Sequence, residues 1–176
     1  MQEIKVWDIV VRVLHWSLVA GVVGAWITRE GDDVLHVRLG YAALAIVVAR
    51  VIWGFVGSQY ARFGEFVRSP RETTTYLKAV IAHREPRHIG HNPLGALMIV
   101  ALLAMVAGIC VTGWLYTTDA YWGVEWVGKL HEGLTDLLIV LVALHLVGVV
   151  FTSIRQRENL VKAMLTGMKK APEHGP

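Results

Sequence analysis

The histidines are the residues in this sequence best placed to do chemistry. Four of the eight, His15, His36, His131 and His145, lie within or at the ends of long apolar runs, whereas His83, His88, His91 and His174 lie in polar segments. A titratable side chain in an apolar run is costly, and function is its default explanation. Interhelical hydrogen bonding is the plainer alternative for any single one. Depth favours function for the set. His131 and His145 are 14 residues apart. At about 100° per residue this falls about 40° short of four turns, so both point to nearly the same helix face, about 21 Å apart along the axis. His15 lies one and a half to two turns inside the first run, and His36 stands at the start of the second. The four therefore sort into two layers, His15 with His145 and His36 with His131, each with one histidine from each of two helices. Two imidazoles facing across a bundle can ligate a six-coordinate haem iron. Zinc needs four ligands in one shell, and the layers are too far apart to share a metal. A proton relay would not explain the pairing. Bis-histidine ligation leaves no open iron position, which points to electron transfer rather than oxygen binding.

Other candidates surround these four. Arg12, Arg38 and Arg50 are placed to neutralise haem propionates through charge-assisted hydrogen bonds. For Arg12 and Arg50, snorkelling to head groups is the plainer reading. His91, in His91-Asn92-Pro93, stands at the mouth of the third apolar run, where it could meet a quinone head group or a propionate. The other polar-segment histidines read as solvated. Gly21, Gly24, Gly40, Gly108, Gly113 and Gly148 leave room for macrocycles or for close helix packing. Cys110, the one cysteine, lies in an apolar run and reads as a small buried hydrophobe. With no C-x-x-C-H and no cysteine cluster, covalent c-type haem and iron–sulfur ligation are excluded.

The elements that must position these residues follow from composition. The 176 residues are 55% hydrophobic and only 18% charged, with a mean hydropathy of +0.49. An ordinary soluble domain carries about 25% charge, so this is the composition of a membrane protein. The apolar residues fall in four runs, about 9–27, 34–56, 94–116 and 130–154, each long enough to cross a hydrocarbon core of about 30 Å. Arg12 and His15 interrupt the first, which reads as a retained helix rather than a signal peptide. The expected fold is all-α, a single membrane-embedded four-helix bundle. Between helices 2 and 3, Ser69-Pro70-Arg71-Glu72 offers a cap, a first-turn proline and a capping-box acid. Tyr76, Leu77, Val80 and Ile81 follow at helical spacing, which predicts a short amphipathic helix on the inner membrane surface. The segment beyond Arg155 either extends the fourth helix or lies on the interface, and 171–176 is expected to be disordered.

With four crossings both ends share a side, and fourteen of the 17 Lys and Arg residues fall there. The positive-inside rule makes that side cytoplasmic. The net charge of +3 thus divides into about +7 inside and about −4 outside. The acidic outer face suits a basic docking partner.

The residues also resemble a known family, the bacterial cytochrome b561 and Ni,Fe-hydrogenase b-type cytochrome subunit family. The resemblance rests on Trp7-Asp8 with Arg12-x-x-His15-Trp16, and on Leu35-His36-x-x-x-Gly40-Tyr41 with Arg50-x-x-Trp53-Gly54-Phe55. It continues through Gly90-His91-Asn92-Pro93-Leu94-Gly95, Leu130-His131-Glu132, Ala143-Leu144-His145 and Arg157-Glu158-Asn159-Leu160. It implies a di-haem b cytochrome of the bacterial inner membrane. Such a protein carries electrons between quinone or quinol and a periplasmic redox protein, either a c-type cytochrome or a dehydrogenase or hydrogenase subunit. It also implies two haem b groups, with a bound quinone as a further candidate. Lipid is a partner, a homodimer is compatible with this reading, and no nucleic acid is expected. Superoxide:quinone oxidoreduction, known in some relatives, ranks second because the outer face is negative and superoxide is an anion. A haem-free scaffold or transporter is the third alternative.

Overall fold

The computed structural model describes residues 3–171; the expectation of disorder beyond Ala171 falls outside them. Its elements are β1 (Glu3–Lys5), α1 (Ile9–Thr28), α2 (Asp33–Val56), α3 (Phe63–Phe66), α4 (Pro70–Ile81), α5 (Pro93–Tyr116), α6 (Glu125–Gln156), α7 (Leu160–Thr166) and β2 (Met168–Lys170). The fold is all-α, and α1, α2, α5 and α6 are long and apolar enough to cross a membrane. Many of their large apolar side chains are exposed, among them Val23, Val140 and Val147. Lipid, rather than protein, is the solvent those faces require.

The chain divides into two compact units. One comprises Val13–Val51 and Ala101–Ala143. All four long helices contribute to its core: Ala43 and Val47 from α2, Val106 from α5 and Leu138 from α6 are buried, with Leu18 and Val22 of α1 packed against them. Helix α2 starts where Asp32 accepts a hydrogen bond from the Leu35 amide, 2.9 Å away. That satisfies one of the orphan donors of a helix N-terminus. The start of α6 lies five residues earlier than the apolar run suggests. Gly123, at φ 72°, closes the preceding turn, Glu125 pairs with Lys129 one helical turn on, and Val127 is fully buried.

The other unit comprises Met1–Arg12, Ile52–Val100 and Leu144–Pro176. Helix α4 carries the capping box expected at its start, Ser69 and Glu72 each bonding the other's backbone amide. The segment after α6 does not extend that helix. Arg157 takes φ 48° and breaks the helix, Asn159 caps α7, and β2 then pairs antiparallel with β1, Glu3 opposite Lys170 and Lys5 opposite Met168. Gly167 makes this return possible. It has φ 83°, and a Cβ there would stand 2.5 Å from the Trp7 carbonyl oxygen, so both conformation and space exclude a side chain. Val6, Trp7 and Ala163 form the small core beneath.

Candidate functional site

In the first unit, the His36 and His131 rings lie 6.2 Å apart between centroids, inclined at 76°. Each is fixed by its neighbours. The last four carbonyls of a helix have no backbone partner within it; in α1 that of Ala25 takes a 3.3 Å hydrogen bond from the Thr28 hydroxyl and lies 2.9 Å from His36 Nδ1. The Asp32 cap sets His36 in the first turn of α2, within reach of that carbonyl. On α6, His131 Nδ1 lies 3.0 Å from the Ile109 carbonyl oxygen and 3.2 Å from Thr112 Oγ1 on α5. Thr112 is buried, and its hydroxyl is itself held by the Gly108 carbonyl at 2.9 Å.

A carbonyl oxygen only accepts, so the facing Nδ1 of each ring carries a proton, which leaves Nε2 as the nitrogen able to ligate. This is the tautomer of a histidine that ligates a metal through Nε2, with its other nitrogen donating to a carbonyl. The span suits the same role: two in-line metal–imidazole bonds of about 2 Å, plus the distance from each nitrogen to its ring centre, come to about 6 Å. No group of three or more His, Cys, Asp or Glu residues able to hold a bare metal ion occurs among the described residues. Two histidines therefore suit an iron whose remaining ligands come from a macrocycle.

The glycines divide by role. A Cβ at Gly113 would lie 3.1 Å from His131 Cε1, so Gly113 makes room for the His131 ring. A Cβ at Gly24 would crowd Leu39 at 3.1 Å, whereas one at Gly108 would meet Leu134 at an ordinary packing distance of 3.5 Å. Beside Gly21 and Gly40 there is open space, with no heavy atom within 4 Å of a Cβ.

His15 belongs to this unit too, its ring edge-on to Trp16 at 5.1 Å. His145 belongs to the other unit, half-buried on α6. Arg38 is exposed, and Arg50 is only 8% exposed, so it does not snorkel outward. Arg12 turns to the end of α7, where its guanidinium donates to the Leu165 carbonyl. A cation suits that position, because the final carbonyls of a helix lack partners and carry partial negative charge.

Of the polar-segment histidines, His83 is exposed as expected, and His88 and His91 are less solvated than their surroundings in the sequence suggest. His91 lies between Trp7 and Phe66, with ring centroids at 4.5 and 4.7 Å. His88 meets Tyr76 edge-on at 5.3 Å. Burial, reinforced by Arg68 and Lys169, lowers its pKa below the ordinary histidine value. Sequence reading missed Thr112, although a hydroxyl in the charge-free third run was a signal of the kind that drew attention to the histidines. The carbonyls of Ala25 and Ile109 carry no such signal, because every residue has one.

A family model described as prokaryotic cytochrome b561 matches residues 6–167. The chain is similar to a probable Ni/Fe-hydrogenase B-type cytochrome subunit of Bradyrhizobium diazoefficiens, 22% identical over 95% of this chain and 86% of that protein. Proteins with the same description from Azotobacter vinelandii and Cupriavidus necator are each 24% identical. They cover 98% and 93% of this chain and 91% and 86% of their own lengths. No solved structure matches significantly.

Proposed function

The chain belongs to the prokaryotic cytochrome b561 family, and from that premise we propose that it carries electrons across the membrane through two bis-histidine haems. That it is a membrane b-type cytochrome of electron transfer follows from the family. The finer reading assigns one haem to His36 and His131 and the other to His15 and His145. Its main support is the outer pair, with rings 6.2 Å apart and both Nδ1 atoms beside carbonyl oxygens. The inner pair rests on helical spacing in the sequence.

When bound, the group would supply one-electron oxidation and reduction at its iron, which the paired histidines would hold. The chain's own residues do the rest. The Ala25 and Ile109 carbonyls fix the ring planes and raise the basicity of the ligand nitrogens. The apolar core around Val47, Val106 and Leu138 lowers the local dielectric and keeps water out. Arg38, exposed two residues on from His36, is the proposed propionate partner on the outer side, and Arg50 that on the inner side. Engagement with Leu165 gives Arg12 a structural task, and packing between Trp7 and Phe66 gives His91 one. In this reading the termini and α4 are cytoplasmic, the membrane is the bacterial inner membrane, and electrons pass between the quinone pool and a periplasmic redox protein. The similarity to hydrogenase B-type cytochrome subunits supports a hydrogenase as that partner.

A reduced-minus-oxidised spectrum of the purified chain, with a haem-to-protein ratio, tests the proposal. The expected result is a b-type spectrum with two haems per chain. Absence of a b-type signal in protein made with ample haem would contradict it.

A further inference from the structure

The second unit contains a cavity of about 350 Å³ that the electron-transfer reading does not use. Arg68, Arg71, Thr75, Tyr76, His88 and Pro93 are among its lining residues. An adjoining cavity of about 280 Å³ shares Arg68 and His88 and adds Arg87. We propose that the larger cavity is a binding site for the phosphate group of an anionic ligand.

Four observations support this. First, the volume is within the range of about 300–1,000 Å³ typical of small-ligand sites. Second, the two arginines have donors to spare. Arg68 gives one hydrogen bond, to the Glu65 carbonyl at 2.9 Å, and the Arg71 side chain has no partner among the described residues. Guanidinium groups match phosphate oxygens with paired donors. Third, the buried Nε2 of His88 has no hydrogen-bond partner among the described residues, an expense that a ligand oxygen would remove. The positive field of Arg68 and Lys169 at that ring would be relieved by an anion. Fourth, the one carboxylate in the lining, Glu72, is already engaged by Ser69, whose amide and hydroxyl lie 3.0 and 2.7 Å from it.

The rest of the wall is mostly apolar, formed by Tyr76, Ala79, Pro86 and Pro93 beside Thr75, whose hydroxyl is taken up by the Arg71 carbonyl. Pro93 is also the first residue of α5, a helix long and apolar enough to cross a membrane, so one wall of the cavity is the end of such a span. A phospholipid head group and a soluble phosphate would both meet the cations. The lipid would also use the apolar wall.

The test uses the full-length, haem-loaded chain in detergent, titrated calorimetrically with dihexanoyl phosphatidylglycerol, dihexanoylglycerol and inorganic phosphate. Arg71→Gln and Arg68→Gln are the variants, and Arg84→Gln is the surface control. The expected result is binding of phosphatidylglycerol that weakens about tenfold or more in each cavity variant and is unchanged in the control. Tighter binding of phosphatidylglycerol than of inorganic phosphate identifies a lipid head group as the source. Equal, arginine-dependent binding of both identifies a free phosphate. No measurable binding would overturn the proposal, as would binding matched by dihexanoylglycerol or unaltered in both variants. The haem-to-protein ratio of the same samples tests the electron-transfer reading separately.

Discussion

The two units use polar side chains in opposite ways. Around His36 and His131 they are few, and their contacts bear on the histidine rings: the Ala25 and Ile109 carbonyls, the Thr112 hydroxyl and the space left by Gly113. In the unit that holds the chain ends they are many, and they tie loops to helices. Asp8 accepts hydrogen bonds from the Val11 amide, Trp53 Nε1 and Ser58 Oγ. Glu158 accepts from the Lys170 amide at 2.7 Å and pairs with Arg87 and Lys169 at 3.4 and 3.6 Å. Lys169, almost fully buried, donates onward to the Ile89 carbonyl at 2.8 Å. Where the surroundings are apolar a polar atom is expensive and marks chemistry; where polar atoms are common, most of them hold structure.

Substitutions can break this contrast, and the largest effect is expected at the histidine pair. On the two-haem proposal, His36→Ala and His131→Ala each remove one ligand of the same haem, and each purified variant should lose one haem of two while remaining a membrane protein. Next is Glu158→Ala, which leaves Lys169 buried without its carboxylate. Breaking a buried pair in this way costs about 3–5 kcal/mol, read as a lower thermal unfolding midpoint, whereas the haem content per folded chain should not change. Gly113→Val is expected to be milder. Its Cβ meets the His131 ring at 3.1 Å, so the ring must give. The outer haem should be held about 10–100-fold more weakly, the usual cost of disturbing a ligand's supports, with a shifted midpoint potential and unaltered stability of the other unit.

The smallest effect is expected at Asp8→Asn, about 1 kcal/mol of stability. Burial pushes the Asp8 carboxyl up, but its hydrogen bonds outweigh burial and hold it below the ordinary value of 3.8. A depressed carboxylate pKa stabilises the folded chain fully above that ordinary value, and the contribution is lost as pH falls through the folded pKa. The wild type should therefore lose stability on acidification below about pH 4 more steeply than Asp8→Asn, as measured by unfolding midpoints across that range.

What the sequence revealed and what it hid have a common physical cause. Signals carried by neighbours along the chain were legible: the four apolar runs, the Ser69–Glu72 capping box, and the equal depth of His36 and His131. Each depends on spacings of a few residues or on helix geometry. Contacts between distant segments were not legible. Nothing local in Glu3–Lys5 or Met168–Lys170 announces that they pair, because a three-residue strand has almost no pattern and the partner lies more than 160 residues away. Arg12 reads as a snorkelling cation until α7 returns to it. His88 reads as solvated, and His91 as open to a quinone or a propionate, until Tyr76, Trp7 and Phe66 close around them. In the site itself the ligand candidates were visible. Their carbonyl partners were not, because a backbone oxygen has no identity in a sequence.

The central claim is that His36 and His131 share one haem iron. The most direct measurement is the haem-to-protein ratio of purified wild type and His36→Ala, made with ample haem and checked by reduced-minus-oxidised spectra. The account predicts two haems in the wild type and one in the variant. A folded His36→Ala chain that retains both would contradict it.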